Sequence, residues 1–219
     1  TKWRSGETIE ITVLRKKIIK NDVEYKMFPN GFFYIKIKNF WDTVFQEFKK
    51  SLDELKVSGT KKIIIDLRNN PGRYLEEVTK MLSLFVPKGE KTAVIQYKDF
   101  DYNYSSVWYN YLDLNDYQIY ILINSWTASA SEILAETLKD YFPNILLIGV
   151  TTYGKWSVQT MKGYYDGSML KYTIAKWATG KTQKQIDKIG ISPDKEIILE
   201  SEDFEKWIDT QLQYIFNNY

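Results

Sequence analysis

The stretch Lys62-Ile-Ile-Ile-Asp-Leu-Arg-Asn-Asn-Pro-Gly72 decides the fold of this chain. The apolar run within Lys61–Leu67 is short and bounded by polar residues, which is typical of a buried strand. Two asparagines, a proline and a glycine follow in Asn69–Gly72, and this composition breaks regular structure. We therefore expect a central strand that runs directly into a loop.

The segments on either side of this strand have helical periodicity. Before it, apolar residues recur at steps of three and four as far as Ser58–Gly59, at Trp41, Val44, Phe45, Phe48, Leu52 and Leu55. After it, the same spacing appears at Leu75, Val78, Met81, Leu82 and Phe85. Because strands and helices alternate, the pattern favours an α/β core of mainly parallel strands.

Further elements follow toward the C-terminus. Residues 118–123 predict a strand, and a helix is expected from about Ala130. Strands are expected at 145–149, 158–161 and 169–175, and a closing helix at 203–216. Residues 98–117 are rich in Tyr, Asp, Asn and Ser and predict a long loop, of the kind that often forms a lid or binding segment.

Residues 1–30 predict a short N-terminal β segment. Within it, Glu7–Leu14 alternates polar and apolar residues, as a half-buried strand does. A basic loop follows, and Asn30-Gly31 predicts a turn before a second alternating run at Phe33–Ile37.

The composition limits the class of function. The chain has 219 residues and a net charge of +2, too small an excess to indicate nucleic-acid binding. It has no histidine and no cysteine, which excludes Ser-His-Asp catalysis, Cys-His catalysis and the usual zinc sites. A covalent enzyme of this composition needs a hydroxyl nucleophile and a base such as neutral lysine. The 16% of aromatic residues either line a surface that grips an extended chain or a partner, or pack in the core.

Ser129 stands where small residues lead from a strand into a helix. Helix N-terminal N–H groups at such a turn can steady a developing oxyanion. A structural alternative is that Ser129 or Ser131 caps the helix, with Glu132 completing a capping box.

Lys155 follows a glycine at the entry to a strand in a mostly uncharged segment. As a base near neutral pH it would need its pKa depressed by about 3 units, through burial or a nearby cation. Gln159, four residues on, would share a face with Lys155 in a strand. The alternative is an exposed lysine beside a solvated glutamine.

Five ordered motifs carry a resemblance. They are Lys62–Gly72, Thr127–Ile133, Thr152–Gln159, Asp166–Leu170 and Gly190–Asp194. In this order they resemble the catalytic core of the C-terminal processing (tail-specific) peptidases of the S41 serine peptidase family. The resemblance implies a ClpP/crotonase-like α/β fold over residues 31–200, with 201–219 as a C-terminal helix. It also implies that residues 1–30 are either a remnant of a PDZ domain or a linker.

The resemblance further implies roles for single residues. Ser129 would be the nucleophile, Lys155 the general base and Gln159 the residue that orients Lys155, while the backbone N–H groups of Gly72 and Ala130 would form the oxyanion hole. Arg73 and Trp156 depart from the family pattern, which has a glycine and a small residue there.

The sequence thus predicts a serine endopeptidase with a Ser-Lys-Gln site that cleaves proteins near apolar C-termini, without metal or organic cofactor. The alternative is an inactive or locked scaffold that binds peptides or a partner protein. A regulatory PDZ domain or partner outside this chain and an extracytoplasmic location are expected from the resemblance, although no signal segment opens the chain.

Overall fold

The main sheet has six strands and is largely parallel. The computed structural model describes residues 21–107, 111–186, 188–199, 203 and 208–219. In spatial order the strands are β1 (Val23–Met27), β2 (Phe32–Ile37), β3 (Lys62–Asp66), β6 (Gln118–Ile123), β7 (Leu146–Gly149) and β10 (Lys195–Glu196). β1 runs antiparallel to β2, and every other pairing in this sheet is parallel.

Helices cover both faces of this sheet. They are α1 (Val44–Ser58), α2 (Leu75–Leu82), α3 (Ala130–Tyr141) and α4 (Thr210–Asn218). Ile63 and Ile65 of β3 belong to the large core that includes residues of α1, α2 and α3, whereas Ile64 packs in a smaller cluster with Ile215 of α4. Because alternate side chains of a strand point to opposite faces, the apolar run of β3 is buried from both sides.

A second sheet of four strands is antiparallel throughout. Its order is β5 (Asp101–Ser105), β4 (Lys91–Tyr97), β9 (Met169–Thr179) and β8 (Ser157–Gly163), so that β8 lies at one edge. A turn joins β8 to β9, in which the N–H of Ser168 donates to Asp166 Oδ1 at 2.9 Å. The predicted motif Asp166–Leu170 is therefore this turn and the start of β9.

The predicted α/β class and the mainly parallel core are confirmed, and several element predictions need correction. The long loop expected at 98–117 contains the strand β5 and a 3-10 helix at Leu114–Asp116. β5 was missed because it is an edge strand with exposed Tyr, Asp and Asn side chains, whose backbone bonds to β4 need no apolar pattern. The strands β1 and β4 were not predicted either.

Three predictions concern the ends of the chain. The strand expected at Glu7–Leu14 lies outside the described residues, as do 204–207 of the expected C-terminal helix. Asp203 is helical, but Ile208 and Asp209 are not, so the expected helix is interrupted there. The helix that follows begins at Thr210, where the Asp209 side chain accepts the Leu212 N–H. The division at residues 30 and 200 stays a prediction, and its first boundary falls in the turn between β1 and β2.

The topology brings three loops together. Those after β3, β6 and β7 all leave the carboxyl ends of neighbouring parallel strands. Ligand sites of open parallel sheets lie beyond these ends. Within the described part of the chain, no helix is long and apolar enough to cross a membrane.

Candidate active site

Ser129 lies at the turn between β6 and α3 with an unusual backbone conformation. Its φ of 57° and ψ of −117° fall in a region that non-glycine residues rarely adopt. Such a conformation costs about 1–3 kcal/mol and persists only where the surroundings impose it. The backbone strain therefore indicates that the turn holds half-buried Ser129 in a specific position, in addition to any role in capping α3.

Gly72, in the loop after β3, packs directly against this turn. Its φ is 81°, and a Cβ added there would lie 2.6 Å from the Ala128 carbonyl oxygen and 2.7 Å from the Ala130 nitrogen. Only glycine allows this approach. Ala130 is the first residue of α3, so its N–H is one of those without an acceptor inside the helix.

The structure brings Gly72 and Ala130 together as the resemblance implies, with one difference. The N–H of Gly72 donates to Asn70 Oδ1 at 2.9 Å, so it is occupied within the loop. The same asparagine joins the two loops, because its carbonyl oxygen accepts the Ala128 N–H and the Ser131 hydroxyl, each at 3.0 Å.

Glu132 connects the serine turn to the lysine loop. Its carboxylate is fully buried. Oε2 accepts the N–H of Ser129 at 2.8 Å and the N–H of Lys155 at 2.9 Å. Oε1 accepts the hydroxyl of Thr152 at 2.5 Å and the N–H of Gly154 at 2.7 Å. The glutamate half of the expected capping box is thus present, but its carboxylate also holds the loop that carries Lys155.

Lys155 is half-buried, and its backbone is fixed on both sides. Its N–H binds Glu132, and its carbonyl oxygen accepts the indole N–H of Trp177 at 2.9 Å. Partial burial lowers the pKa of Lys155, the nearby cations Lys171 and Arg73 lower it further, and the Glu132 carboxylate opposes them. This is the direction that a lysine base requires.

Ser129 and Lys155 line one cavity of about 450 Å³. Among the described residues, no hydrogen bond joins Ser129 Oγ to Lys155 Nζ. Arg73 and Gln159 line the same cavity. Its walls also include the aromatic rings of Trp41 and Trp177. The side chains predicted from sequence as nucleophile, base and orienting residue therefore share one cleft.

The expected strand geometry of Lys155 and Gln159 needs correction. Lys155 precedes β8, which begins at Ser157, and the register of β8 shifts between Val158 and Gln159. The spacing of four is therefore not that of an unbroken strand. Both side chains nevertheless reach the same cleft, and no hydrogen bond between them is found among the described residues.

A second cavity of about 530 Å³ also has Lys155 in its lining. Its lining includes Trp126, Tyr153 and Trp156, of which Trp126 is 69% exposed and Tyr153 is 63% exposed. Part of the aromatic content is thus a surface beside the site, while rings such as Phe48 and Trp177 are buried in the core. Trp156 packs against that core with Lys176 Nζ 4.0 Å from its ring centroid.

A buried ion-pair network under the site was not recognised in the sequence. Arg68, which follows β3, donates to Asp66 at 2.7 and 3.0 Å and to Asp209 at 2.7 and 2.9 Å. Burial alone would raise the pKa of Asp66, but the bonds and charge of Arg68 outweigh it and hold that pKa below its ordinary value. The network fixes the start of α4 to the loop that carries Gly72. The quoted motif contains Asp66 and Arg68, but Asp209 is too distant in sequence to be paired with them.

The motif Gly190–Asp194 supports the lysine loop. A Cβ on Gly154 would lie 2.8 Å from the Gly190 nitrogen, and the Thr152 hydroxyl accepts the Ile191 N–H at 2.7 Å. Asp194 accepts the Leu147 N–H at 2.8 Å and so ties the motif to β7.

Within the described ranges, no group of three or more Asp and Glu side chains is arranged to hold a metal ion. The cleft itself offers the Ser129 hydroxyl and the Lys155 amine.

Comparison with known proteins gives consistent matches. Residues 31–197 match the family described as peptidase family S41. A probable CtpA-like serine protease of Staphylococcus saprophyticus is 36% identical over 197 residues, which is 89% of this chain and 39% of that protein. The carboxy-terminal processing protease CtpA of Bacillus subtilis is 36% identical over 185 residues, 84% of this chain and 39% of that protein. The chain thus spans about two fifths of the length of these relatives.

Solved structures share the fold. The photosystem II D1 C-terminal processing protease matches with a TM-score of 0.72 and 26% identity, over 93% of this chain and 53% of that one. A putative S41 protease from Bacteroides fragilis has a TM-score of 0.75 at 16% identity, over 92% of this chain and 58% of that one, and it supports the fold alone. Because the family match covers residues 31–197, most of its length, this chain belongs to peptidase family S41.

Proposed function

We propose that this chain is the catalytic core of a serine peptidase in which Ser129 is the nucleophile and Lys155 the general base. One observation carries the proposal: the side chains of the two residues share a cleft. Their backbone N–H groups also donate to the same oxygen of Glu132, which supports it. The lowered pKa of Lys155 supports its role as base.

The proposed reaction has two stages. Neutral Lys155 takes the proton of the Ser129 hydroxyl while Oγ attacks the peptide carbonyl carbon. The resulting ammonium gives that proton to the leaving amine as the C–N bond breaks, which leaves an acyl ester on Ser129. Lys155, neutral again, takes a proton from water, and the hydroxide attacks the ester. The acid product and the free serine result, with Lys155 returning the proton to Oγ.

The N–H groups of Gly72 and Ala130 are proposed to hold the oxyanion. Support comes from their mutual approach at the serine turn. The bond from Gly72 to Asn70 Oδ1 must lengthen or be shared when the oxyanion forms, because a single N–H cannot fully serve two acceptors. Gln159 is proposed to orient the Lys155 amine once substrate fills the cleft.

The proposed substrate is an extended protein segment near an apolar C-terminus. Ser157 and Gln159 belong to the edge strand β8 and line both cavities that Lys155 lines. An extended peptide can pair with such an edge through main-chain hydrogen bonds. Trp41, Ile133 and Trp177 offer apolar walls beside Ser129.

Digestion of unfolded casein tests the function. We expect Ser129→Ala to abolish cleavage and to leave the circular dichroism spectrum unchanged. Ser125→Ala, at an exposed serine in the same turn region, is the matched control and should cleave at the wild-type rate. Cleavage by Ser129→Ala at that rate would refute the assignment.

A peptide-binding scaffold that does not cleave is the second candidate. It is favoured by the missing bond between Ser129 Oγ and Lys155 Nζ and by the occupied N–H of Gly72. A fluorophosphonate reagent separates the two candidate functions, since a competent Ser129 is labelled and a locked one is not.

A PDZ domain or partner outside this chain, and an extracytoplasmic location, are proposed from family membership. Fractionation of cells and copurification test them.

A further inference from the structure

The cleft that contains Ser129 has an unbalanced charge. Three cationic side chains line it, those of Arg73, Lys155 and Lys171, and no Asp or Glu is found among its described lining residues. Neither Arg73 nor Lys171 belongs to any ion pair formed within the described residues. The cleft therefore carries a local excess of positive charge, and such a charge favours an anionic ligand.

Backbone structure fixes the position of Arg73. It directly follows Gly72, and it bridges to Phe40 in a short parallel pairing. Its guanidinium carbon lies 4.3 Å from the ring centroid of Trp41, in a cation–π contact. This contact holds the guanidinium at the wall of the cleft without neutralising its charge.

Lys171 enters the cleft from the second sheet. It pairs with Met161 across β8 and β9, and cross-strand partners lie on the same face. Met161 and Lys171 both line the cleft. Lys162, the next residue of β8, points to the other face because side chains alternate along a strand. The hairpin therefore presents Lys171 to the site and Lys162 away from it.

The cluster affects Lys155, since Lys171 and Arg73 both lower its pKa. Like charges in a partly buried cleft repel one another, and the repulsion is relieved when an anion binds among them. A bound anion would therefore also favour the protonated form of Lys155.

We propose that Arg73 and Lys171 form a carboxylate-binding subsite beside Ser129, so that favoured substrates carry a carboxylate next to an apolar side chain. This inference rests on the proposed peptidase site and names part of its substrate class. The guanidinium of Arg73 supplies several N–H donors in one plane, and the ammonium of Lys171 supplies a localised positive charge. The apolar group is accommodated by Trp41, Ile133 and Trp177. The carboxylate is either the free C-terminus of the chain or an acidic side chain near the bond that is cleaved.

Binding to the Ser129→Ala variant tests the subsite without requiring catalysis. The probes are fluorescent peptides that carry the sequence around the fastest-cleaved bond of casein or, if casein is not cleaved, a C-terminal Ala-Leu-Ala-Ala segment. In the first pair, one peptide has a free C-terminus and the other an amidated C-terminus. In the second pair, both peptides are amidated, and one has Glu and the other Gln beside the apolar residue. In at least one pair we expect the carboxylate form to bind about tenfold more tightly, equivalent to about 1.4 kcal/mol. The pair that shows the preference identifies its source.

Charge removal in the same background completes the test. Arg73→Gln with Lys171→Gln should abolish the preference, whereas Lys162→Gln, which removes an equal charge from the other face of the hairpin, should retain it. Equal affinities within both pairs, no measurable binding of any probe, or a preference that survives loss of both cations would overturn the subsite.

Kinetics of the wild-type protein provide a second readout. The pH dependence of kcat reports the substrate complex, and that of kcat/KM the free enzyme. The acid limb of kcat should lie at higher pH with the carboxylate peptide than with its amide, while kcat/KM keeps one midpoint for both. A shared kcat midpoint would contradict carboxylate binding beside Lys155. Absence of any cleavage would count against the proposed function and leave the binding result to decide the subsite.

Discussion

The backbone N–H groups of Ser129 and Lys155 donate to one oxygen atom, Oε2 of Glu132, at 2.8 and 2.9 Å. A single buried carboxylate thus sets the distance between the turn that carries the nucleophile and the loop that carries the base. The Glu132 carboxylate thus holds the backbone of both residues, while their side chains line the cleft.

Glu132→Gln should impair catalysis more than its small change in shape suggests. The amide offers one acceptor oxygen, so two of the four donors lose their partner, at about 1–3 kcal/mol for each unsatisfied buried group. We expect kcat/KM to fall at least tenfold, as a misplaced reacting group can cost about 100-fold. Because the Glu132 charge raises the pKa of Lys155, the acid limb should move to lower pH.

Glu136→Gln is the matched control for this variant. Glu136 lies one turn later in α3, is 4% exposed and pairs with Lys184 outside the cleft. We expect it to lower stability without moving the pH profile. If Glu132→Gln reduces the rate with an unshifted profile, a purely structural role is indicated.

Gly72→Ala should remove activity. The added Cβ would clash with the Ala128 carbonyl and the Ala130 nitrogen, so the serine turn must shift, and a shift of about 1 Å can cost about 100-fold in rate. Gly89→Ala carries the same backbone strain, with φ at 87°, but its Cβ would meet nothing within 4 Å. Steady-state kinetics of the two variants separate crowding at the site from strain, and equal losses in both would argue against the close packing.

Arg68→Ala should destabilise the chain by about 3–5 kcal/mol, because Asp66 is left as a buried charge without its main partner. Loss of the Asp209 contact should also loosen α4. Lys38→Ala, which removes an exposed pair with Glu24, should cost less than about 1 kcal/mol. Urea unfolding measures both, and a comparable cost for the two would show that the network is not important for stability.

Asp66 should make the free energy of unfolding depend on pH in the acidic range. Its pKa is lowered in the folded state, so its contribution is present above the unfolded value of about 3.9 and is lost as pH falls below it. The difference in unfolding free energy between the wild type and Asp66→Asn should therefore narrow between about pH 5 and pH 2. A difference that stays constant over this range would mean that Asp66 is not charged in the fold.

Elements with strong local patterns could be predicted from sequence. The helical spacing of Trp41 to Leu55 gives α1, and its end at Gly59 follows from that residue's left-handed φ of 69°. The buried run of β3 likewise requires no information beyond its own residues. The edge strand β5 could not be found this way, since its side chains are mostly exposed and its bonds to β4 involve only the backbone.

The site was predictable only in part, for a physical reason. Ser129 and Lys155 stand in recognisable motifs, but what joins them is three-dimensional. The role of Glu132 depends on a loop 20 or more residues away, and that of Arg68 on a partner 141 residues away. The cationic character of the cleft likewise arises only where Arg73, from the loop after β3, and Lys171, from β9, reach one cavity.

The rate at which a fluorophosphonate labels Ser129, followed by mass spectrometry from pH 5 to 10 in the wild type and in Lys155→Arg, tests the central claim most directly. We expect the wild-type rate to rise with pH to a midpoint below the ordinary lysine value of about 10.4, because only neutral Lys155 accepts the proton. We expect Lys155→Arg, whose guanidinium stays charged, to remain unlabelled throughout. Labelling of Lys155→Arg at the wild-type rate, or a wild-type rate that does not change with pH, would contradict the account.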